Sequence, residues 1–285
     1  MVIAVASGKG GTGKTTLAVN LAFVASRPVE LIDCDVEEPN VHLFLQGNTL
    51  ERRTVSVAVP SVDESKCTGC GECGAFCRFN ALAVIDKSVL VFQELCHSCG
   101  GCTMVCPEKA IVEEERPVGV VETMQIDDGF TVVGGTLLVG VAMAVPVIRA
   151  VKATAKQREM PFTIIDCPPG TSCPVVESLK GADVALLVTE PTPFGLHDLT
   201  LAVDTVRKLG IPLGVVINKA GTGYSKVHEF LEREQIPLLA EIPESPHIAR
   251  AYARGAIIVD ALPEYRFLAE QILRKLTQLG VKKPK

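Results

Sequence analysis

One octapeptide restricts the fold of the whole chain. Gly8-Lys9-Gly10-Gly11-Thr12-Gly13-Lys14-Thr15 follows the apolar run Val2–Ala6 and precedes residues 14–26, whose apolar side chains recur at helical spacing. The pattern G-x-x-x-x-G-K-[ST] between a strand and a helix cradles the phosphates of a nucleotide. Glycines let backbone N–H groups wrap the anion, and the helix N-terminus adds positive potential. Lys14 is placed to reach the β- and γ-phosphates, Thr15 to ligate Mg²⁺ and Thr16 to contact the α-phosphate.

The rhythm that starts there continues. Residues 29–32 read as a strand ending in Asp33, 163–165 as one running into Asp166, 184–188 into Thr189 and 213–217 into Asn218. Helical patterns fill 146–158, 172–181, 196–209, 224–235, 246–254 and 264–279. Strands alternating with helices predict an α/β fold, a doubly wound and mainly parallel sheet, with ligands at the carboxyl ends of the strands. Hydrophobic residues make up 47% of the 285 and charged residues 21%, enough for a buried core and incompatible with global disorder. A net charge of −5, no Trp and three Tyr argue against a nucleic-acid partner.

Between residues 60 and 117 the alternation breaks. Cys67, Cys70, Cys73 and Cys77 recur as Cys96, Cys99, Cys102 and Cys106, a constant offset of 29, and matching tails follow at 81–84 and 110–113. Of the eleven cysteines eight lie in this repeat, which is unlike a disulfide framework spread over a secreted domain. C-x2-C-x2-C-x3-C is the bacterial ferredoxin spacing for cubane clusters, in which the fourth cysteine of each run ligates the other cluster. That crossing assigns Cys67, Cys70, Cys73 and Cys106 to one [4Fe–4S] cluster, and Cys96, Cys99, Cys102 and Cys77 to the second. Zinc is the competing metal, but its knuckles pair over longer gaps. Pro107 follows the second run, whereas Arg78 follows the first. Residues 61–117 carry nine acidic and five basic residues, so most of the net charge sits here.

Lys9 narrows the nucleotide site. The stretch from Lys9 to Thr16 resembles the deviant Walker A loop of the MinD/ParA/nitrogenase iron-protein ATPases, in which the early lysine crosses to the nucleotide of a second subunit. Asp33-Cys34-Asp35 resembles that family's second acidic motif; the resemblance implies that Asp35 orients the attacking water and Asp33 supports Mg²⁺. Asp166-Cys167-Pro168-Pro169-Gly170 resembles switch II, with the aspartate in the Mg²⁺ shell and Gly170 at the γ-phosphate, and Asn218 resembles the residue that contacts adenine. Taken whole, the chain resembles MinD-superfamily ATPases that carry an inserted two-cluster ferredoxin domain: 1–59 and 118–285 form the ATPase, 60–117 the α+β insert.

The resemblance implies slow, partner-stimulated hydrolysis of ATP to ADP with Mg²⁺, in a nucleotide-dependent homodimer or a heterodimer with a paralogue. The leading expectation is an ATPase that gates electron transfer through two clusters to a redox donor or acceptor. One alternative is an ATP-dependent cluster carrier, for which Cys173, seven residues after Asp166, could bridge two subunits with Cys167; the other reading of Cys173 is an ordinary thiol. Another is a positioning ATPase with a redox-sensing insert. Cys34 reads as structural, and His97 as an exposed loop residue with a second reading as a hydrogen-bond donor to a cluster. Residues 1–6 lack the basic start and cleavage site of a signal peptide. The uncharged stretch 130–148 carries Gly134, Gly135, Gly140 and Pro146 and reads as strand, turn and helix start. Helix 264–279, leading to Lys282-Lys283-Pro284-Lys285, reads as packing on the sheet rather than on a membrane. A cytoplasmic protein without stable membrane insertion is expected.

Overall fold

The computed structural model describes residues 1–156, 160–221 and 223–281. It opens with β1 (Val2–Ala6), α1 (Lys14–Val24) and β2 (Val29–Asp33). Then come β3 (Asn48–Val62), α2 (Glu72–Phe76), β4 (Leu82–Ile85), β5 (Ser88–Val91), α3 (Gly101–Val105), β6 (Ile111–Asp127) and β7 (Phe130–Leu137). The remainder is α4 (Val145–Lys156), β8 (Phe162–Asp166), α5 (Cys173–Leu179), β9 (Val184–Thr189), α6 (Pro193–Lys208) and β10 (Leu213–Ala220). After them follow α7 (Lys226–Arg233), β11 (Leu238–Pro243), α8 (Pro246–Ala253), α9 (Ile258–Ala261) and α10 (Pro263–Val281).

Among the described residues nine strands form one sheet in the order β11-β10-β9-β1-β8-β2-β7-β6-β3. The strands from β11 to β7 are parallel; β6 and β3 close the edge antiparallel. The central strands are apolar at successive positions because both faces are covered. Ile3, Val5, Leu31, Ile164 and Leu186 face one core, which α1 and α10 complete through Leu17, Leu21 and Ile272. Ala4, Ile32, Ile165 and Leu187 face the other, against Val147, Ile148 and Val151 of α4 and Leu199 and Val203 of α6.

Several boundaries differ from the sequence expectation. Helix α1 ends at Val24, short of 26, as the chain turns into Arg27-Pro28. Helix α6 starts three residues early because Thr192 caps it, accepting from the Gly195 N–H at 3.0 Å, with Pro193 in the first turn. β10 runs through Asn218 to Ala220. The end of the 146–158 helix beyond Lys156 and the basic tail 282–285 lie outside the described residues. The stretch 130–148 is β7, a loop and the start of α4. No described helix is long and apolar enough to cross a membrane.

β3 and β6 are the main elements that apolar patterning missed. They pair from Asn48↔Gln125 to Val62↔Ile111, a two-stranded ribbon within which both expected boundaries, 59/60 and 117/118, fall. Only part of β6 also pairs with β7, up to Gly119↔Leu137. Because β7 is parallel to β2, Leu137 lies at the carboxyl edge of the sheet. The ribbon therefore continues past that edge, carrying α2, α3 and the β4–β5 hairpin beyond it.

Candidate nucleotide and cysteine sites

Five loops meet at the carboxyl edge. A cavity of about 460 Å³ there is lined by all residues from Lys9 to Thr16 and by Asp35, Pro169, Asn218 and Lys219. Farther from the loop its wall is apolar, with Phe44, Ile248 and Tyr252. Gly13 begins α1 in the left-handed region, φ 89°, and no side chain caps the helix, so its first N–H groups face the cavity without a protein acceptor from a cap. A Cβ on Gly13 would collide with the Asn218 amide, which donates to the Thr12 carbonyl at 2.8 Å.

Lys14 is buried and donates to Asp166 Oδ1 at 2.7 Å, with Asp35 at 3.8 Å and Thr15 Oγ1 at 3.5 Å. Burial works against its ammonium, but Asp166 and Asp35 outweigh that and raise its pKa. Asp33 and Asp166 lie side by side in register on β2 and β8. Burial, with Asp166 adding to it, pushes the Asp33 carboxyl up to about 8, although it accepts the N–H groups of Val41 and Asp35. Asp35 reaches the cavity and is raised to about 6, chiefly by burial. Gly170 takes φ 95° and donates its N–H to the Ser7 carbonyl at 2.9 Å, joining the loop after β8 to the loop after β1.

The second buried oxygen of Asp166, Oδ2, has no hydrogen-bond partner. With Thr15 and Asp33 nearby in sequence motif and space, hard oxygen donors dominate, the set that suits Mg²⁺. Among the described residues no three His, Cys, Asp or Glu side chains converge on one ion. Mg²⁺ tolerates that, because it retains waters and phosphate oxygens beside one or two protein ligands.

Sequence reading missed Glu190 and Lys219. Glu190 follows β9 and accepts from Lys9 Nζ at 3.0 Å and from Lys219, which also reaches the Gly11 carbonyl at 3.2 Å. Their signal was positional: each stands next to a polar strand end, Thr189 or Asn218, already placed at this edge. Cys34 and Cys167 are fully buried; burial pushes Cys34 up to about 12 and Cys167 well above the usual thiol range. Cys173 is exposed at the start of α5.

Beyond the edge none of the eight repeat cysteines is in a disulfide. Cys77, Cys96, Cys99 and Cys102 line one cavity of about 450 Å³, together with Phe76, Phe79, His97 and Ser98. This is the set that the ferredoxin spacing groups, including its one member from the other run. In the second group burial raises the Cys73 thiol; its own and the Gly74 N–H oppose this, and the neighbouring Cys67 and Cys106 add to it. Backbone N–H groups point at the sulfurs in repeat-related pairs: Ala81 to Cys77 at 3.4 Å, Ala110 to Cys106 at 3.3 Å. Such donors stabilise thiolate rather than thiol. Sulfurs on the corners of a cubane stand farther apart than ligands of one ion, so four cysteines around a cavity fit a cluster better than zinc. His97 is exposed but stacks on Phe79, ring centroids 3.8 Å apart.

Comparison with known proteins agrees with the fold. Residues 3–258 match the model of the CobQ/CobB/MinD/ParA nucleotide binding domain. An uncharacterized protein of Methanocaldococcus jannaschii is 32% identical over 260 residues, 90% of each chain. An iron-sulfur cluster carrier protein of Pyrococcus horikoshii is 26% identical over 302 residues, covering 97% of this chain and 87% of that one. The septum site-determining protein MinD of Pyrococcus horikoshii, solved with Mg-ADP, superimposes with a TM-score of 0.57 at 21% identity, over 100% of this chain and 98% of that one.

Proposed function

The chain belongs to the CobQ/CobB/MinD/ParA nucleotide-binding family and is an ATPase of the MinD/ParA type, and we propose that it couples Mg·ATP binding and hydrolysis to two [4Fe–4S] clusters held by an inserted ferredoxin-like unit. In this reading 60–117 is the insert, and 1–59 with 118–285 the ATPase. Cys67, Cys70, Cys73 and Cys106 hold one cluster; Cys96, Cys99, Cys102 and Cys77 hold the other. When bound, the clusters supply two sites of one-electron storage.

The observation that carries the reading is the course of the ribbon. β3 and β6 leave the sheet at the same edge as the phosphate loop, four strand positions from β1, or roughly 20 Å at strand spacing. A backbone relay joins the two. Val36, next to Asp35, accepts the Leu137 N–H at 2.8 Å, and Leu138 donates to Val118 of β6 at 2.9 Å. A displacement of the Asp35 loop thus bears directly on the ribbon that carries the cysteines.

Phosphoryl transfer needs positioning and neutralisation of charge rather than a covalent nucleophile. Lys14 and the loop amides hold the phosphates. Thr15, with Asp33 and Asp166 behind it, holds Mg²⁺, and Asp35 orients the attacking water. Gly170 senses the γ-phosphate, and Asn218 borders the adenine. Lys9, freed from Glu190, reaches the nucleotide of a second protomer, either an identical chain or a paralogue. The acidic insert favours a redox partner with a basic docking surface, an association that weakens with salt.

The test is an anaerobic redox titration followed by EPR, with Mg·ADP and with a non-hydrolysable Mg·ATP analogue. Coupling is reciprocal, so nucleotide that acts on the insert shifts a cluster potential; 59 mV for one electron is ~1.4 kcal/mol. Two cluster signals whose potentials ignore nucleotide would refute the coupling.

A second reading, cluster delivery, is favoured by the similarity to a cluster carrier over 97% of this chain and by the exposure of Cys173 at the nucleotide edge. Cys173→Ser should then abolish transfer to an apo-acceptor and spare the eight-cysteine clusters; undiminished transfer rules it out.

A further inference from the structure

The two cysteine runs are related by a pseudo-repeat that holds down to the backbone, and at one of the shared left-handed positions the residue type changes from glycine to serine. Gly71 and Gly100, 29 apart, both take left-handed φ angles, 85° and 70°, and so do Asn80 and Lys109, 55° and 49°. The positions between the first two cysteines of each run, Gly69 and Ser98, share that conformation at 68° and 53°. In the first run the residue is glycine, which adopts it without penalty. In the second it is serine, which adopts it only against steric strain between its Cβ and the backbone.

Packing explains the glycine. A Cβ at Gly69 would run into the backbone of Lys87 in the β4–β5 turn, so the first run has no room for a side chain here. It does not explain the serine. Ser98 Oγ is buried, has no hydrogen-bond partner, and belongs to a residue lining the cavity shared by Cys77, Cys96, Cys99 and Cys102. Its own N–H already donates to Cys96 Sγ at 3.4 Å. A buried hydroxyl without a partner loses its hydration with nothing in return, and calls for an acceptor.

Resting on the cluster reading above, we propose that the Ser98 hydroxyl donates a hydrogen bond to a sulfur of the cluster held by Cys96, Cys99, Cys102 and Cys77, and thereby raises its reduction potential. The cluster at Cys67, Cys70, Cys73 and Cys106 lacks this donor. A reduced cluster carries one more negative charge than its oxidised form, so a donor to its sulfur stabilises the reduced form more. Ser98 is therefore a potential-setting residue that makes the two sites unequal and biases where an electron rests. Glu72, Arg78 and Glu113 line the same cavity and set the baseline, which they share in every variant.

The experiment compares the native full-length protein with Ser98→Ala and Ser98→Gly, each reconstituted anaerobically. Iron content is measured first, and each cluster potential is then followed by EPR without nucleotide. Ala removes the hydroxyl and keeps the Cβ; Gly also removes the backbone strain. The expected result is about eight iron atoms per chain in all three, one midpoint moved to more negative potential by similar amounts in both variants, and the other midpoint unmoved. Full iron content with both midpoints unchanged would overturn the role of Ser98 and leave the cluster reading intact. A native protein that binds no iron would overturn the cluster reading itself. Loss of four irons in both variants, Gly included, would make Ser98 a requirement for assembly instead of a tuning residue, and would also overturn the proposal.

Discussion

The sheet body and the cysteine insert are held together by different means. The body has two broad apolar cores, one on each face, in which Ile3, Leu31, Ile164 and Leu186 are fully buried. The insert has two small clusters, in which Cys73, Cys96 and Cys102 are themselves core residues beside Leu82, Ile111, Val59 and Ala81. Its larger side chains face outward: Phe76, Phe79, Phe92, Leu95 and Met104 are all exposed. Burial at about 25 cal/mol per Å² can stabilise the body. A unit this small, with its cysteines at the centre, has little apolar burial of its own, and the proposed clusters would make up the difference. On the proposed reading, the difference separates a part that folds on hydrophobic burial from one that folds on metal.

Removal of iron puts that contrast to its hardest test. Anaerobic chelation should strip protection from hydrogen exchange across 63–110, leaving those amides near free-chain rates, while β1, β8 and β9 stay protected. Retention of protection in the insert would break the comparison.

Next in size is Lys14→Ala, an effect confined to the body. It should lower the hydrolysis rate by about 10²–10³-fold. Because it leaves Asp166 buried without its ion-pair partner, unfolding free energy should also fall by about 3–5 kcal/mol. EPR signals of the insert should persist at unchanged intensity.

Ile164→Ala tests the body without touching its chemistry. The side chain is fully buried in the central strand, so denaturant unfolding should show a loss of about 2–5 kcal/mol, again with the cluster signals intact.

The smallest effect belongs to Glu190→Gln. Burial opposes the Glu190 carboxylate, but Lys219 and Lys9 override it and lower its pKa below the usual glutamate value. A depressed carboxylate stabilises the fold above its unfolded pKa and loses that contribution as pH falls through its folded pKa. The native protein should exceed the variant by about 1 kcal/mol or less at neutral pH. The difference should vanish in acid below the usual glutamate range, which thermal melts across pH would show.

Much of this was readable from the chain. The phosphate loop, the aspartates at 33 and 166 and the grouping of Cys77 with Cys96, Cys99 and Cys102 depend on residue spacing, and spacing survives into the fold. β3 was not readable. Asn48–Val62 begins with Glu51, Arg52 and Arg53 exposed at the sheet edge, where charge guards against edge pairing and erases apolar alternation. β6 was hidden likewise by Glu113, Glu114 and Glu115. Helix α9, four residues long, is too short to show a period.

By itself the sequence determined the local chemistry: which residues can wrap phosphate, which cysteines recur at a fixed offset, and which segments are strands with both faces buried. Those properties follow from bonded neighbours and short repeats. Only the tertiary structure decided that the ribbon leaves at the nucleotide edge, that Glu190 holds Lys9 and Lys219 together, and that Gly69 is crowded while Ser98 faces a cavity. Each of these depends on register and packing between segments far apart in the chain, where no spacing along the sequence carries the distance.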